Sequence, residues 1–529
     1  MRRLLAVAGL LGLVAGGLTA STGAQAQQTR GTAVLASISW GTCADATLVA
    51  RGAKCGFVTV PLDYAKPGAG TVRLAVSRVK HTVPDAQFQG VMLVNPGGPG
   101  GSGLALATIG VLVPGQVGAS YDWIGFDPRG VGASTPTLSC DGEYFGYHRP
   151  AYVPTTAAIE KAWQARAAGY ANACAQAGGK LLDHLKTADS ARDLDRIRAA
   201  LGQQQINYYG FSYGTYLGQV YATLFPQRVR RMVLDGNVDP RGIWYSANLT
   251  QDLAFERNMR IYFGWLAKYD SVYHLGKTAG AVRKLFYSTQ AALIRKPAGG
   301  QIGGSELTDV FLQAGYFVFS WEDVAAAFAA WIQHRDATKL KALYDKGQQQ
   351  GPGADNSYAI YLGVQCTDAK WPAAWRTWQA DNWQVHSRAP FETWGNAWYN
   401  APCRSWAGRP GTPVRVNGTQ APPILLVSET RDAATPYAGS LQVRRLFPRA
   451  ALVEGVGGTT HAGSLFGDTC VDGTIASYLG SGAMPRRVRA DRSDKQCTPI
   501  AQPDPTRAAT ATERAAVVSR LDLQRLIGR

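Results

Sequence analysis

Three stretches of this 529-residue chain combine residue types and spacings that can do nucleophilic chemistry. The first is Tyr208-Tyr209-Gly210-Phe211-Ser212-Tyr213-Gly214, a serine bracketed by glycines two residues before and two after. A serine hydroxyl is a weak nucleophile until a neighbouring base takes its proton. Glycines at these two positions let a strand and a helix pass closely at a sharp turn that exposes the serine. The start of that helix also favours negative charge beside it. The second stretch is Asn95-Pro96-Gly97-Gly98-Pro99-Gly100-Gly101-Ser102-Gly103. Backbone N–H groups unobstructed by side chains can face a developing oxyanion, and Gly98 and Tyr213 are the expected donors. The loop has neither the G-K-[ST] nor the G-x-G-x-x-G spacing of a phosphate cradle. The third is a pair of late segments, Glu429–Pro436 and Gly457–Ala462. Taken in the chain order serine, acid, histidine, Asp432 orients an imidazole and His461 takes the proton of Ser212 and returns it to the leaving group. Glu429 is a neighbouring alternative acid. Asp235 and Asp239 are others, for which capping the turn that follows is the simpler reading. His81, His148, His184, His274, His334 and His386 have no recognised strand before them and read as surface or structural.

These residues need a scaffold, and the hydrophobic pattern supplies one. Residues 57–61 and 72–76 alternate as strands about a turn at 63–70. Residues 90–94 and 121–126 are continuous apolar runs that stop at Gly/Pro clusters, as strands buried on both faces do. Strands follow at 206–209, 229–234, 422–428 and 451–453, with helices at 188–201 and 215–225. Alternating strand and helix imply a mostly parallel sheet. Residues 241–410 break the rhythm and read as helical and aromatic-rich. The expected fold is therefore α/β, of the α/β-hydrolase type: a mostly parallel sheet with an inserted, mainly helical cap. The expected divisions are a signal peptide at 1–26, an N-terminal arm at 27–56, the first part of the core at 57–240, the cap at 241–410, the second part of the core at 411–498 and a tail at 499–529. The acid and base candidates both sit at the C-terminal ends of strands, the edge at which open α/β sheets place ligands.

Arg2 and Arg3, the uncharged run Leu4–Leu18 and Ala24-Gln25-Ala26 read as an export signal with its cleavage site. The apolar run is shorter than a membrane span. The eight cysteines, an even number in an exported chain, imply disulfides. Their spacing suggests local pairs in sequence order, 43–55, 140–174, 366–403 and 470–497, and no group of them has zinc spacing. The net charge is +17, but the basic residues are scattered and form no basic helix or aromatic-basic stripe. Solubility and attraction to an anionic surface account for the excess, and no nucleic-acid partner is expected.

With these segments assembled, the chain resembles the secreted tripeptidyl aminopeptidases of actinomycetes, α/β-hydrolase serine exopeptidases related to prolyl aminopeptidases. The resemblance runs from about Trp40 to Cys497. It is carried by Cys55–Tyr64, Asn95–Gly103, Gly125–Gly132, Tyr208–Leu217, Leu234–Pro240, Gln365–Asp368, Asp432-x-x-Thr435-Pro436 and His461. It implies release of short peptides, tripeptides in particular, from free N-termini through an acyl-enzyme on Ser212, with no metal or organic cofactor. A secreted carboxylesterase with the same triad is the alternative, and a non-catalytic binding protein on the same scaffold a third. Peptides are the expected partners, without stable membrane insertion, and the oligomeric state is left open. An aminopeptidase must hold an α-ammonium group with poorly solvated carboxylates. The cap offers Asp252, Glu256, Glu306, Asp309, Glu322, Asp323 and Asp368, among which the sequence does not choose. The aromatic stretch Trp371–Trp398 could line a pocket, although core filling is the simpler reading.

Overall fold

Short runs of Val, Ile, Leu and aromatic residues between Gly/Pro-rich turns form the strands of one ten-stranded sheet. A computed structural model of the chain describes residues 38–507 and 523–524. The export-signal reading, most of the arm before Trp40 and most of the tail after 507 lie outside the described residues. The strands are Gly41–Thr42 (β1), Lys54–Pro61 (β2), Thr71–Val79 (β3), Val91–Asn95 (β4), Asp122–Phe126 (β5), Ile206–Phe211 (β6), Val229–Asp235 (β7), Leu425–Glu429 (β8), Ala451–Gly455 (β9) and Lys495–Cys497 (β10). Their order across the sheet is β1-β2-β3-β5-β4-β6-β7-β8-β9-β10. The first three are joined antiparallel to each other and to β5, and every pairing from β5 to β10 is parallel.

Successive side chains of a strand point to opposite faces, and both faces here are buried. In β4, Val91 and Leu93 enter one core while Met92 and Val94 enter the other. Tyr208 and Tyr209 divide in the same way in β6, as do Leu234 and Val233 in β7 and Leu452 and Val453 in β9. That two-sided burial is why these strands read as unbroken apolar runs. Helices Thr187–Ala200 and Tyr213–Leu224 pack on the first of these cores.

Between β7 and β8 every helix and strand assigned is helical, from Tyr245–Lys268 to Thr393–Asn400. These helices have an aromatic core of their own around Phe255, Tyr262, Trp265, Phe286, Phe311, Trp321 and Phe328. Among the described residues no helix is long and apolar enough to cross a membrane. Cys43–Cys55, Cys140–Cys174, Cys366–Cys403 and Cys470–Cys497 are disulfide-bonded, the local pairing the spacing suggests. The Trp371–Trp398 stretch is part core and part surface: Trp394 and Trp398 are buried, Trp375 and Trp394 each stack on Trp398, and Trp398 stacks on Trp163. One histidine reading is corrected. His81 does follow a strand, β3, and its ring nitrogens bond Asp122 and Asp85 away from the site.

Candidate active site

Ser212 stands between β6 and the helix Tyr213–Leu224 with φ 55° and ψ −126°, a conformation that strains any residue with a side chain. The flanking glycines make the turn possible. A Cβ on Gly210 would lie 2.5 Å from the Gly214 carbonyl oxygen, and one on Gly214 would lie 2.7 Å from that of Asn95. The turn is tied to β7, because the Ser212 N–H donates to the Asp235 carbonyl at 3.0 Å. As the first helical residue, Tyr213 has an N–H without an intrahelical acceptor.

The glycine-rich loop after β4 lies directly against this turn. A Cβ on Gly97 would come within 2.8 Å of the Ser212 Cβ and 3.0 Å of the Tyr213 nitrogen. The Gly97 N–H is committed to Asn95 Oδ1 at 3.0 Å, which leaves Gly98 as the next donor along the loop. Asp127 fastens the far end, accepting from Ser102 Oγ at 2.6 Å and the Gly103 N–H at 3.1 Å. The Gly125–Gly132 block therefore serves the loop as well as the sheet.

Asp432 and His461 meet beyond the ends of β8 and β9. The Nδ1 of His461 lies 2.9 and 3.1 Å from the two carboxylate oxygens of Asp432. Both residues are buried. Thr435 donates to the same carboxylate from its N–H at 3.0 Å and its hydroxyl at 2.7 Å, fixing its plane. The His461 N–H donates to the Tyr316 carbonyl at 2.7 Å, so a helix of the inserted segment holds the histidine's backbone. Burial works against the imidazolium, but the Asp432 charge and hydrogen bond outweigh it and hold the His461 pKa above its ordinary value. The end of β7 joins the two halves. Asp235 takes the Ser212 N–H on its carbonyl, and Gly236 follows, where a Cβ would be 3.2 Å from His461 Cε1.

Asp235 corrects the sequence reading. Its side chain does not cap the turn after β7. It accepts the N–H groups of Gly463 at 3.0 Å and Ser464 at 2.8 Å, together with the Ser464 hydroxyl, and so anchors the loop that carries His461. Tyr209 donates to that hydroxyl from β6 at 2.6 Å. Asp239 is the local turn residue expected of it, accepting the Arg241 N–H at 3.0 Å. Glu429 does not bond His461; its carboxylate lies against Gly458 and Gly463 and accepts the Ile500 N–H, and burial pushes it up to about 9.

The seven carboxylates considered within residues 241–410 separate by their partners. Glu322 and Asp323 are exposed. Glu306 and Asp309 share Arg149, and Asp309 also takes the Tyr152 hydroxyl. Glu256 pairs with Arg260. Asp368 accepts the Thr187 N–H and hydroxyl and the Trp244 indole N–H. The same Thr187 hydroxyl bonds the Tyr213 hydroxyl at 2.8 Å, so Asp368 braces the nucleophile turn from behind. Asp252 is buried with a single partner, Asn396 Nδ2 at 2.8 Å. Glu392 has the same character and escaped the sequence reading, since nothing around Phe391-Glu392-Thr393 marks it.

A family model described as alpha/beta hydrolase fold matches residues 90–285, and one described as TAP-like protein matches residues 389–497. The chain is 41% identical over 486 residues to the tripeptidyl aminopeptidase of Streptomyces lividans, covering 89% of each chain. The chain belongs to the tripeptidyl aminopeptidase family. It is accordingly a serine hydrolase. More distant relatives are serine protease Hip1 of Mycobacterium tuberculosis, 31% identical with 82% of this chain and 86% of the relative covered, and carboxylesterase B of the same organism, 32% identical with 87% and 91% covered. One family thus includes proteins named for peptide and for ester hydrolysis.

Proposed function

We propose that the protein is a secreted serine aminopeptidase that releases short peptides, tripeptides foremost, from free N-termini, with Ser212, His461 and Asp432 as its triad. The observation that supports the reading is a buried Asp432–His461 pair and a serine held at φ 55° that both adjoin the end of β7. His461 Nε2 takes the proton of Ser212 as its oxygen attacks the scissile carbonyl. Asp432 holds the Nδ1–H, which fixes the tautomer and stabilises the imidazolium that forms. The N–H groups of Gly98 and Tyr213 receive the oxyanion. His461 then protonates the leaving amine, and water reverses the sequence on the acyl-enzyme. The helical segment 241–410 acts as a cap that shields the acyl-enzyme and bounds the substrate. Four disulfides support export to an oxidising compartment.

The test is hydrolysis of a chromogenic tripeptide amide with a free N-terminus, its N-acetylated twin and a short-chain ester by wild type and Ser212→Ala. Cleavage of the free amide, abolished in Ser212→Ala, is the expected result. Cleavage of the ester alone would establish a carboxylesterase on the same triad.

A further inference from the structure

Glu392 precedes the helix Thr393–Asn400 but caps nothing with its side chain. It is 9% exposed, and its Oε2 is buried with no hydrogen-bond partner. Asp252, from the helix Tyr245–Lys268, is 1% exposed. Its one bond comes from Asn396, whose own N–H donates to the Glu392 carbonyl one turn back. Two buried carboxylates thus converge on one helical turn, and among the described ion pairs neither has a cation. Burying a carboxylate without a partner is costly, so a pair of this kind suits a positive ligand.

We propose that Asp252 and Glu392 form the seat for the substrate's α-ammonium group; this deepens the aminopeptidase reading and rests on it. An ammonium brings three donors and one charge. Glu392 Oε2 is an acceptor in waiting, and Asp252 lines a narrow pocket with Asn248, Asn396 and Asn400 between walls of Trp371 and Trp378. Two links run from these residues toward the reacting groups. Tyr316, whose carbonyl holds the His461 N–H, has its hydroxyl pKa raised by burial and then by the nearby charges of Glu392 and Asp432. Asn400 accepts from the Tyr361 hydroxyl at 3.0 Å, and the Tyr361 backbone nitrogen is 3.2 Å from where a Gly100 Cβ would stand in the oxyanion loop. A metal ion fits less well, because the next carboxylate, Asp309, is already engaged by Arg149 and Tyr152.

The groups facing the seat are acidic or neutral: Asp309, Tyr152, Tyr316 and Tyr245, the last bonded to Asp381, with Arg149 consumed by Glu306 and Asp309 and with His461 and Asp432 beyond Tyr316. Burial pushes the Asp252 carboxyl up to about 7, and burial with the charges of Asp309 and Asp252 pushes Glu392 well above its ordinary range. Below neutral pH the Asp252 carboxyl is therefore largely protonated. An arriving ammonium exchanges its charge for a proton released to solvent, which avoids leaving a bare buried charge in either state.

The experiment compares the free and N-acetylated tripeptide amides in wild type, Glu392→Gln and Asp252→Asn. Folded enzyme is counted by labelling Ser212 with a fluorophosphonate. Wild type should prefer the free N-terminus, and each variant should lose roughly 10- to 100-fold of that preference, chiefly through KM. Preference retained in both variants overturns the seat and leaves the aminopeptidase reading standing. No preference in wild type overturns that reading, and the seat with it. Should a variant not fold, calorimetry on wild type decides. Trialanine binding at pH 6, measured in buffers of different ionisation enthalpy, should release about one proton per tripeptide, and release of none overturns the proposal.

Discussion

His461 faces opposed demands, since burial disfavours its charged form while the base role proposed for it requires it to accept a proton. Asp432 resolves them and leaves the imidazole pKa above its ordinary 6.5. The base must begin neutral, so kcat/KM should rise with pH through that raised value. In Asp432→Asn the burial that lowers the pKa is no longer opposed, and the rise should move to lower pH. The maximum should fall by about 10³- to 10⁴-fold as the tautomer is lost. A pH–rate profile of the two enzymes checks both. Ser212, Asp432 and His461 stand out in the sequence because each follows a strand and is flagged by glycines or by its order in the chain, and the structure brings Asp432 and His461 together. Glu392 does not stand out, because a buried carboxylate becomes conspicuous only when its surroundings show that nothing neutralises it. Asp235 was noticed in the sequence, but its partner Ser464 lies more than two hundred residues away.

At the scale of elements, the strand–turn–helix around Ser212 depends on contact between backbones. In Gly214→Ala the added carbon meets the Asn95 carbonyl oxygen and Oδ1 at 2.7 and 2.8 Å, so the end of β4 and its loop must shift. The expected outcome is a loss of about 1–3 kcal/mol, read from the urea midpoint, with slower fluorophosphonate labelling of Ser212. Strand positions were legible from apolar runs, while their ends were read short. The reading stopped β4, β7 and β8 at 94, 234 and 428, and each continues for one more residue: Asn95, Asp235 and Glu429. Those residues are polar and buried because the sheet ends in the site, so the hydrophobic pattern stops where the function-bearing part of the strand begins.

Across the whole molecule, Cys366–Cys403 closes a loop of 37 residues that contains Glu392, Asn396 and the stacked tryptophans. Replacing both cysteines by serine should cost about 2–4 kcal/mol by releasing that loop in the unfolded chain, visible as a lower denaturant midpoint. The sequence by itself determined the parallel sheet, the helical stretch between β7 and β8, the serine turn and the cysteine pairing. Each of these depends on neighbours in the chain or on a repeating pattern of burial. Only the tertiary structure decided which carboxylates remain uncompensated. Asp252 and Glu392 resemble Asp309, Glu256 and Asp368 as letters. They differ because Arg149 and Thr187 reach Asp309 and Asp368 from elsewhere in the fold and Arg260 reaches Glu256 from the next turn of its own helix, while no basic side chain reaches these two.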